Sequence, residues 1–122
     1  MEIVRTLSAT PAAAGQARES MLALDGLLPP SRMDDVRLVV SEMVTNVLEH
    51  SGLSDGEGFL LRIDTDPQRV RVAVIDDGGR FDDVSRRPAG EHGWGLAIVR
   101  SLADHWGAEL GVETTVWAEF DL

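Results

Sequence analysis

The sequence predicts an α+β fold, a two-layer α/β sandwich in which a mixed, mostly antiparallel sheet carries three helices on one face. Three observations predict it. Strand-like and helix-like stretches come in groups, whereas a doubly wound parallel sheet would need them to alternate strictly. Residues 59–74 hold two period-two stretches around Asp66-Pro67-Gln68, the pattern of a hairpin. Three stretches with helical character, near residues 11–27, 31–51 and 93–106, supply the second layer. A chain of 122 residues that is 43% apolar fits one domain, residues 1–122, with a worthwhile core.

The elements follow in order. Residues 2–9 alternate loosely and form a first strand, which ends at Ala9-Thr10-Pro11, where Thr10 can cap a helix with proline at its first position. The alanine-rich residues 11–27 suit that helix, closed by Gly26 and Pro29-Pro30. Ser31, followed by Asp34, then caps a second helix running to about residue 51. Residues 52–56 are a loop. Phe59, Leu61 and Ile63 form one side of the first hairpin strand, and Val70, Val72 and Val74 one side of the second. Residues 76–92 lack any sustained period and read as a long loop able to act as a lid. A third helix spans about 93–106, with Leu96, Val99, Ala103 and Trp106 on one face and Gly107 as its stop. Residues 109–122 make two closing strands, the second with Val116, Ala118, Phe120 and Leu122 on one side.

Charge narrows the partners. With 11 basic and 21 acidic residues the net charge is −10, which opposes binding to a nucleic-acid backbone, so no direct nucleic-acid contact is expected. The acidity serves solubility, or steering towards a basic protein. Nothing approaches the run of about eighteen apolar residues a membrane span needs, and a cytoplasmic protein without membrane contact is expected. With no cysteine, disulfides and thiolate chemistry are excluded, and three scattered histidines suggest no zinc motif. Were such an acidic protein to bind a nucleotide, it would handle the phosphates through Mg²⁺ and backbone amides.

Three segments carry chemistry. On the second helix, Met33, Val36, Val39, Val40, Met43 and Val47 gather into an apolar arc, and Glu42, Asn46 and His50 line one shoulder of it at i, i+4 and i+8. Alone, this spacing reads first as an ordinary polar flank. The alternation that turns Val70, Val72 and Val74 inward also turns Asp76 inward, where a carboxylate needs a donor from the protein or from a ligand. The Asp77-Gly78-Gly79 that follows lets the backbone turn sharply beside a flat ligand. Finally, Gly90-Glu91-His92-Gly93-Trp94-Gly95-Leu96 opens a helix, whose free amides favour an anion. It is neither a P-loop nor a dinucleotide fingerprint.

Together and in this order, the segments resemble the nucleotide-binding boxes of the superfamily that unites DNA gyrase, heat-shock chaperone ATPases, histidine kinases and mismatch-repair ATPases. Ser41-Glu42-Met43-Val44-Thr45-Asn46-Val47-Leu48-Glu49-His50 looks like its N box. Val74-Ile75-Asp76-Asp77-Gly78-Gly79-Arg80-Phe81 looks like its first glycine box, and Gly93-Trp94-Gly95-Leu96-Ala97-Ile98-Val99 like its second. The resemblance implies a Bergerat-type ATP-binding fold, with Asn46 on Mg²⁺, Asp76 accepting a hydrogen bond from the adenine amino group and Glu42 as general base. It also implies that Gly78, Gly93, Trp94, Gly95 and Leu96 help hold ATP. One position departs: Arg80 stands where the first glycine box usually has glycine. The short chain and the ending Val116-Trp117-Ala118-Glu119-Phe120 are similar to the small anti-sigma-factor serine kinases of bacterial partner switching. That likeness implies a sigma factor and an antagonist protein as partners, phosphorylation of a serine on the antagonist, and a homodimer. A non-catalytic ATP-sensing module of the same fold is the alternative, and His50 is expected to be a packing or helix-end residue.

Overall fold

The computed structural model describes residues 1–50, 57–76, 96–109 and 113–122, with the side chain of His50 excepted. Along the chain these form β1 (Glu2–Ser8), α1 (Ala13–Ser20), a 3₁₀ turn (Met21–Leu24), α2 (Pro30–His50), β2 (Gly58–Asp66), β3 (Arg69–Asp76), α3 (Leu96–Leu102), β4 (His105–Glu109) and β5 (Thr114–Asp121). The five strands form one sheet in the order β1-β2-β3-β5-β4, and every described pairing is antiparallel. This is the α+β sandwich that the grouping of elements predicts.

Period-two alternation places the core. Phe59, Leu61 and Ile63 of β2, Val70, Val72 and Val74 of β3, and Val116, Ala118 and Phe120 of β5 are all buried on the face that meets the helices. From α2, Met33, Val36, Val39, Val40, Met43, Val44 and Val47 fill the same layer. Burying a valine or leucine side chain contributes about 1.5–3 kcal/mol, so this two-sided apolar seam dominates the stability of the domain. None of the described helices is long and apolar enough to cross a membrane.

A charged clasp fixes the direction of α2. In its first turn, Arg32 lies over the Phe120 ring, 5.7 Å from the centroid, and its Nε donates to the Asp121 carbonyl at 3.2 Å. Its Nη2 donates to Asp104 Oδ2 at 2.5 Å, and that carboxylate also accepts from the Asp121 backbone N–H at 2.7 Å. The start of α2, the exit of α3 and the end of β5 are thus tied at one end of the sandwich.

Several boundaries differ from the sequence expectation. The first helix ends at Ser20 and tightens into a 3₁₀ turn, well short of residue 27. There the Ser20 hydroxyl donates back to the Gln16 carbonyl at 3.0 Å, a bond that bends helices, and Arg5 Nη1 binds both groups. Gly26 takes φ 83, which suits the reversal after this turn. The second helix begins at Pro30, not after Ser31: proline occupies the first helical position, and the Pro29 carbonyl accepts from the Met33 N–H at 3.0 Å. The hairpin turn is as expected, with Asp66 Oδ1 accepting from the Gln68 N–H at 2.8 Å.

The largest difference is at Trp106. The third helix stops at Leu102, and Trp106 belongs to β4, 36% exposed, where it pairs with Ala118. Gly107 is therefore no helix stop. It pairs with Trp117, and a Cβ there would come within 2.9 Å of the Trp117 ring, so the indole occupies the space of the missing side chain. The loop at 52–56 and the lid at 77–92 lie outside the described residues.

Candidate functional site

Two lengths bring the polar residues of α2 and β3 to the same end. The start of α2 sits at Phe120, which is paired with Val70 near the beginning of β3. From Arg32 to Asn46 an α-helix advances about 21 Å at ~1.5 Å per residue. From Val70 to Asp76 a strand advances about 20 Å at ~3.3 Å per residue. Since α2 packs along β3 and β5, Asn46 and Asp76 finish at the end of the sandwich opposite the Arg32 clasp.

At that end, polar groups are sunk in a predominantly apolar layer. Asp76 is fully buried, Asn46 is 6% exposed, and Thr114, the cross-strand partner of Asp76, is 1% exposed. Of the four polar or charged residues buried in the described structure, Asp76 and Thr114 are cross-strand partners and Asn46 lies towards the same end; the fourth, Ser20, belongs to the Arg5 network. Glu42, one turn before Asn46 on the same shoulder of α2, is half-buried. Burying an amide and a carboxylate costs several kcal/mol unless they are hydrogen-bonded, so a fold that does so at one edge is equipped to meet polar chemistry there. Asp76 also interacts within the protein.

Leu96 opens α3 and packs against the core. Because α3 lies against α2 and leaves through Asp104 at the clasp, Leu96 lies towards the Asn46 end. Gly78, Gly93, Trp94 and Gly95, together with Arg80, lie outside the described residues. So does the side chain of His50.

The donor set fits a nucleotide carried with a hard cation. Among the described residues no cluster of three or more histidines, aspartates or glutamates could hold a metal ion alone. A Mg²⁺ ion needs less from a protein, keeping water and phosphate oxygens and taking one or two protein oxygens, for which the Asn46 amide is suitable. Asp76, at a strand end beside Thr114, offers acceptors for an amino group. A shallow hollow of about 410 Å³ on the opposite sheet face, lined by Glu2, Asp64, Asp66, Arg69, Arg71 and Glu119 among others, is a poorer candidate. It is shallow, and of its arginines Arg69 is paired with Glu119 at 3.5 Å, while Arg71 lies over the Trp117 ring at 4.9 Å with its buried Nε unbonded in the described structure.

A family model described as the histidine kinase-like ATPase domain matches residues 7–120. The chain belongs to that family, a family of ATP-binding domains, and the match spans every element from the end of β1 to Phe120. Sequence reasoning overlooked Thr114. The signal was present, since Thr114 continues the inward series Val116, Ala118 and Phe120, and a threonine on a buried strand face beside an inward aspartate is a polar pair.

Proposed function

We propose that this protein is a Mg-ATP-binding regulator of the anti-sigma-factor type, which sequesters a sigma factor and phosphorylates a serine on an antagonist protein. The observation that carries the nucleotide part is the burial of Asn46, Asp76 and Thr114 at one end of an otherwise apolar layer, in a chain of the ATP-binding family. In this reading Asp76 accepts a hydrogen bond from the adenine amino group, with Thr114 beside it. Asn46 offers its amide oxygen to Mg²⁺. Gly78, Gly93, Trp94, Gly95 and Leu96 hold the nucleotide from the segments before and after the lid. Bound Mg²⁺ supplies charge neutralisation for the phosphates, which an acidic protein needs.

The transfer itself rests on positioning. Glu42, half-buried at the flank of Asn46, accepts the proton of the serine hydroxyl as that oxygen bonds to the γ-phosphorus and ADP leaves. The experiment is direct: incubate the protein with labelled Mg-ATP and candidate antagonist proteins encoded nearby, and look for phosphoserine. Label on a serine of one candidate supports the kinase reading.

Metal dependence tests Asn46 separately. Asn46→Ala removes one oxygen ligand, so nucleotide affinity should lose most of its dependence on Mg²⁺ while binding of adenosine survives. Titration calorimetry with and without Mg²⁺ measures both. An Asn46→Ala protein with wild-type Mg²⁺ dependence would return Asn46 to a purely structural role.

A further inference from the structure

On the sheet face turned away from the helices, the strand register sets side chains in rows. Leu60, Ile75 and Thr115 share the row nearest the Asp76 end; Arg62, Ala73, Trp117 and Gly107 share the next; Asp64, Arg71 and Glu119 share the one after. The middle row alternates large and small. The Trp117 indole spreads over Gly107, and the single methyl of Ala73 leaves a dip between Arg62 and Trp117. A hollow of about 220 Å³ opens there, lined by Ala73, Arg62, Asp64, Arg71, Ile75 and Thr115.

Two of the three arginines here are matched to carboxylates. Arg62 bonds Glu2 and, at 3.0 Å, Asp64, while Arg69 lies 3.5 Å from Glu119 and 3.8 Å from Asp121. Arg71 stands between Asp64 and Glu119 in its row, yet among the described residues it has no carboxylate partner. Its guanidinium lies over the Trp117 ring, 4.9 Å from the centroid, and its Nε is buried and unbonded. A buried donor without an acceptor is costly, so such an atom marks a place that a partner can complete. A guanidinium stacked on an indole keeps its N–H groups in its own plane, where two of them can grip a carboxylate with parallel bonds.

Arg62 and Arg71 against Asp64 leave the hollow positive, in a chain whose net charge is −10. Asp64 is held by Arg62, so the groups left for a ligand are the Arg71 guanidinium and the Thr115 hydroxyl, with Ala73 and Ile75 as apolar floor and wall. We infer that this hollow binds a small monocarboxylate, its carboxylate gripped by Arg71 and bonded by Thr115, its short apolar body resting on Ala73 against Ile75. A second negative charge on the ligand would meet Asp64. The hollow is smaller than the roughly 300–1,000 Å³ of sites for drug-sized ligands, so the acid has few atoms. The site lies on the sheet face opposite α2 and does not rest on nucleotide binding.

Magnetic resonance of the isotope-labelled full chain tests it, by titration with sodium benzoate and with benzamide as the uncharged counterpart. Millimolar benzoate should shift the amides of Ala73, Ile75 and Thr115 and the Trp117 indole N–H saturably, and benzamide should bind about tenfold more weakly or worse. Arg71→Gln, on the face away from the core, should keep the wild-type circular dichroism spectrum and Mg-ATP affinity while weakening benzoate about ten- to a hundredfold. Ala73→Leu, which fills the dip, should abolish benzoate binding. A wild type whose hollow shows no saturable shift would overturn the inference. So would benzamide binding as tightly as benzoate, either variant binding benzoate as the wild type does, or benzoate that Mg-ATP displaces, which would place the acid in the nucleotide site.

Discussion

Asp76→Asn should remove most of the thermal stabilisation that Mg-ATP confers on the wild type. A ligand that binds only the folded state adds about 2.7 kcal/mol at a hundredfold excess over Kd. The substitution keeps the volume of this fully buried side chain but replaces a charged acceptor by a group that can present a donor to the adenine amino group. Losing a hydrogen bond to a charged group costs about 1.5–3 kcal/mol, roughly ten- to a hundredfold in Kd. At a hundredfold loss and the same nucleotide concentration, stabilisation falls to about 0.4 kcal/mol. The melting temperature without nucleotide, compared between variant and wild type, separates damage to the fold from loss of the ligand. Calorimetry that finds no adenine-nucleotide binding to the wild type at millimolar concentration would remove the basis of the proposed function.

Asp76 was legible because a period-two pattern cannot stop one residue early. Once Val70, Val72 and Val74 are assigned to the core, the strand geometry carries Asp76 to the same face, and the structure buries it completely. The apolar arc of α2 was legible for the same reason, its period being long and regular enough that all six predicted core residues are buried. Asn46 proved more buried than a shoulder position suggests. Helical angles alone do not register the neighbours of α2, which packs against α1 and α3 as well as against β3 and β5.

What could not be read was set by partners distant in sequence. Leu96, Val99, Ala103 and Trp106 fit a helical face, yet the segment after Leu102 is claimed by pairing with β5 and by the bond that Arg32, 72 residues away in the chain, donates to Asp104. A glycine after a helical pattern looks the same whether it ends a helix or lies beneath a tryptophan of the neighbouring strand, as Gly107 does. The first helix was overextended because alanine and leucine favour helix locally. Where it ends, the Ser20 hydroxyl donates to the Gln16 carbonyl in a network completed by Arg5 from β1, a partner distant in sequence.

Glu42→Gln should separate phosphoryl transfer from nucleotide binding. The substitution is nearly equal in volume, so the flank of α2 that holds the half-buried Glu42 stays packed, while the side chain can no longer accept a proton. Nucleotide affinity should change little, because the residues assigned to adenine and Mg²⁺ are Asp76 and Asn46. With the true antagonist and Mg-ATP, the transfer rate should fall about a hundredfold or more, the lower end of what a general base contributes, and the fall should appear in kcat and not in KM. A module that only senses ATP predicts a different pair of results: no phosphoserine from the wild type, and ATP-dependent partner binding that Glu42→Gln leaves intact. The measurement is therefore made in parallel, single-turnover transfer of labelled phosphate beside titration calorimetry of the same samples. Transfer by the variant at the wild-type rate would take the base role from Glu42. A wild type that binds Mg-ATP tightly yet labels no serine on its cognate antagonist would leave the ATP site standing and remove the kinase.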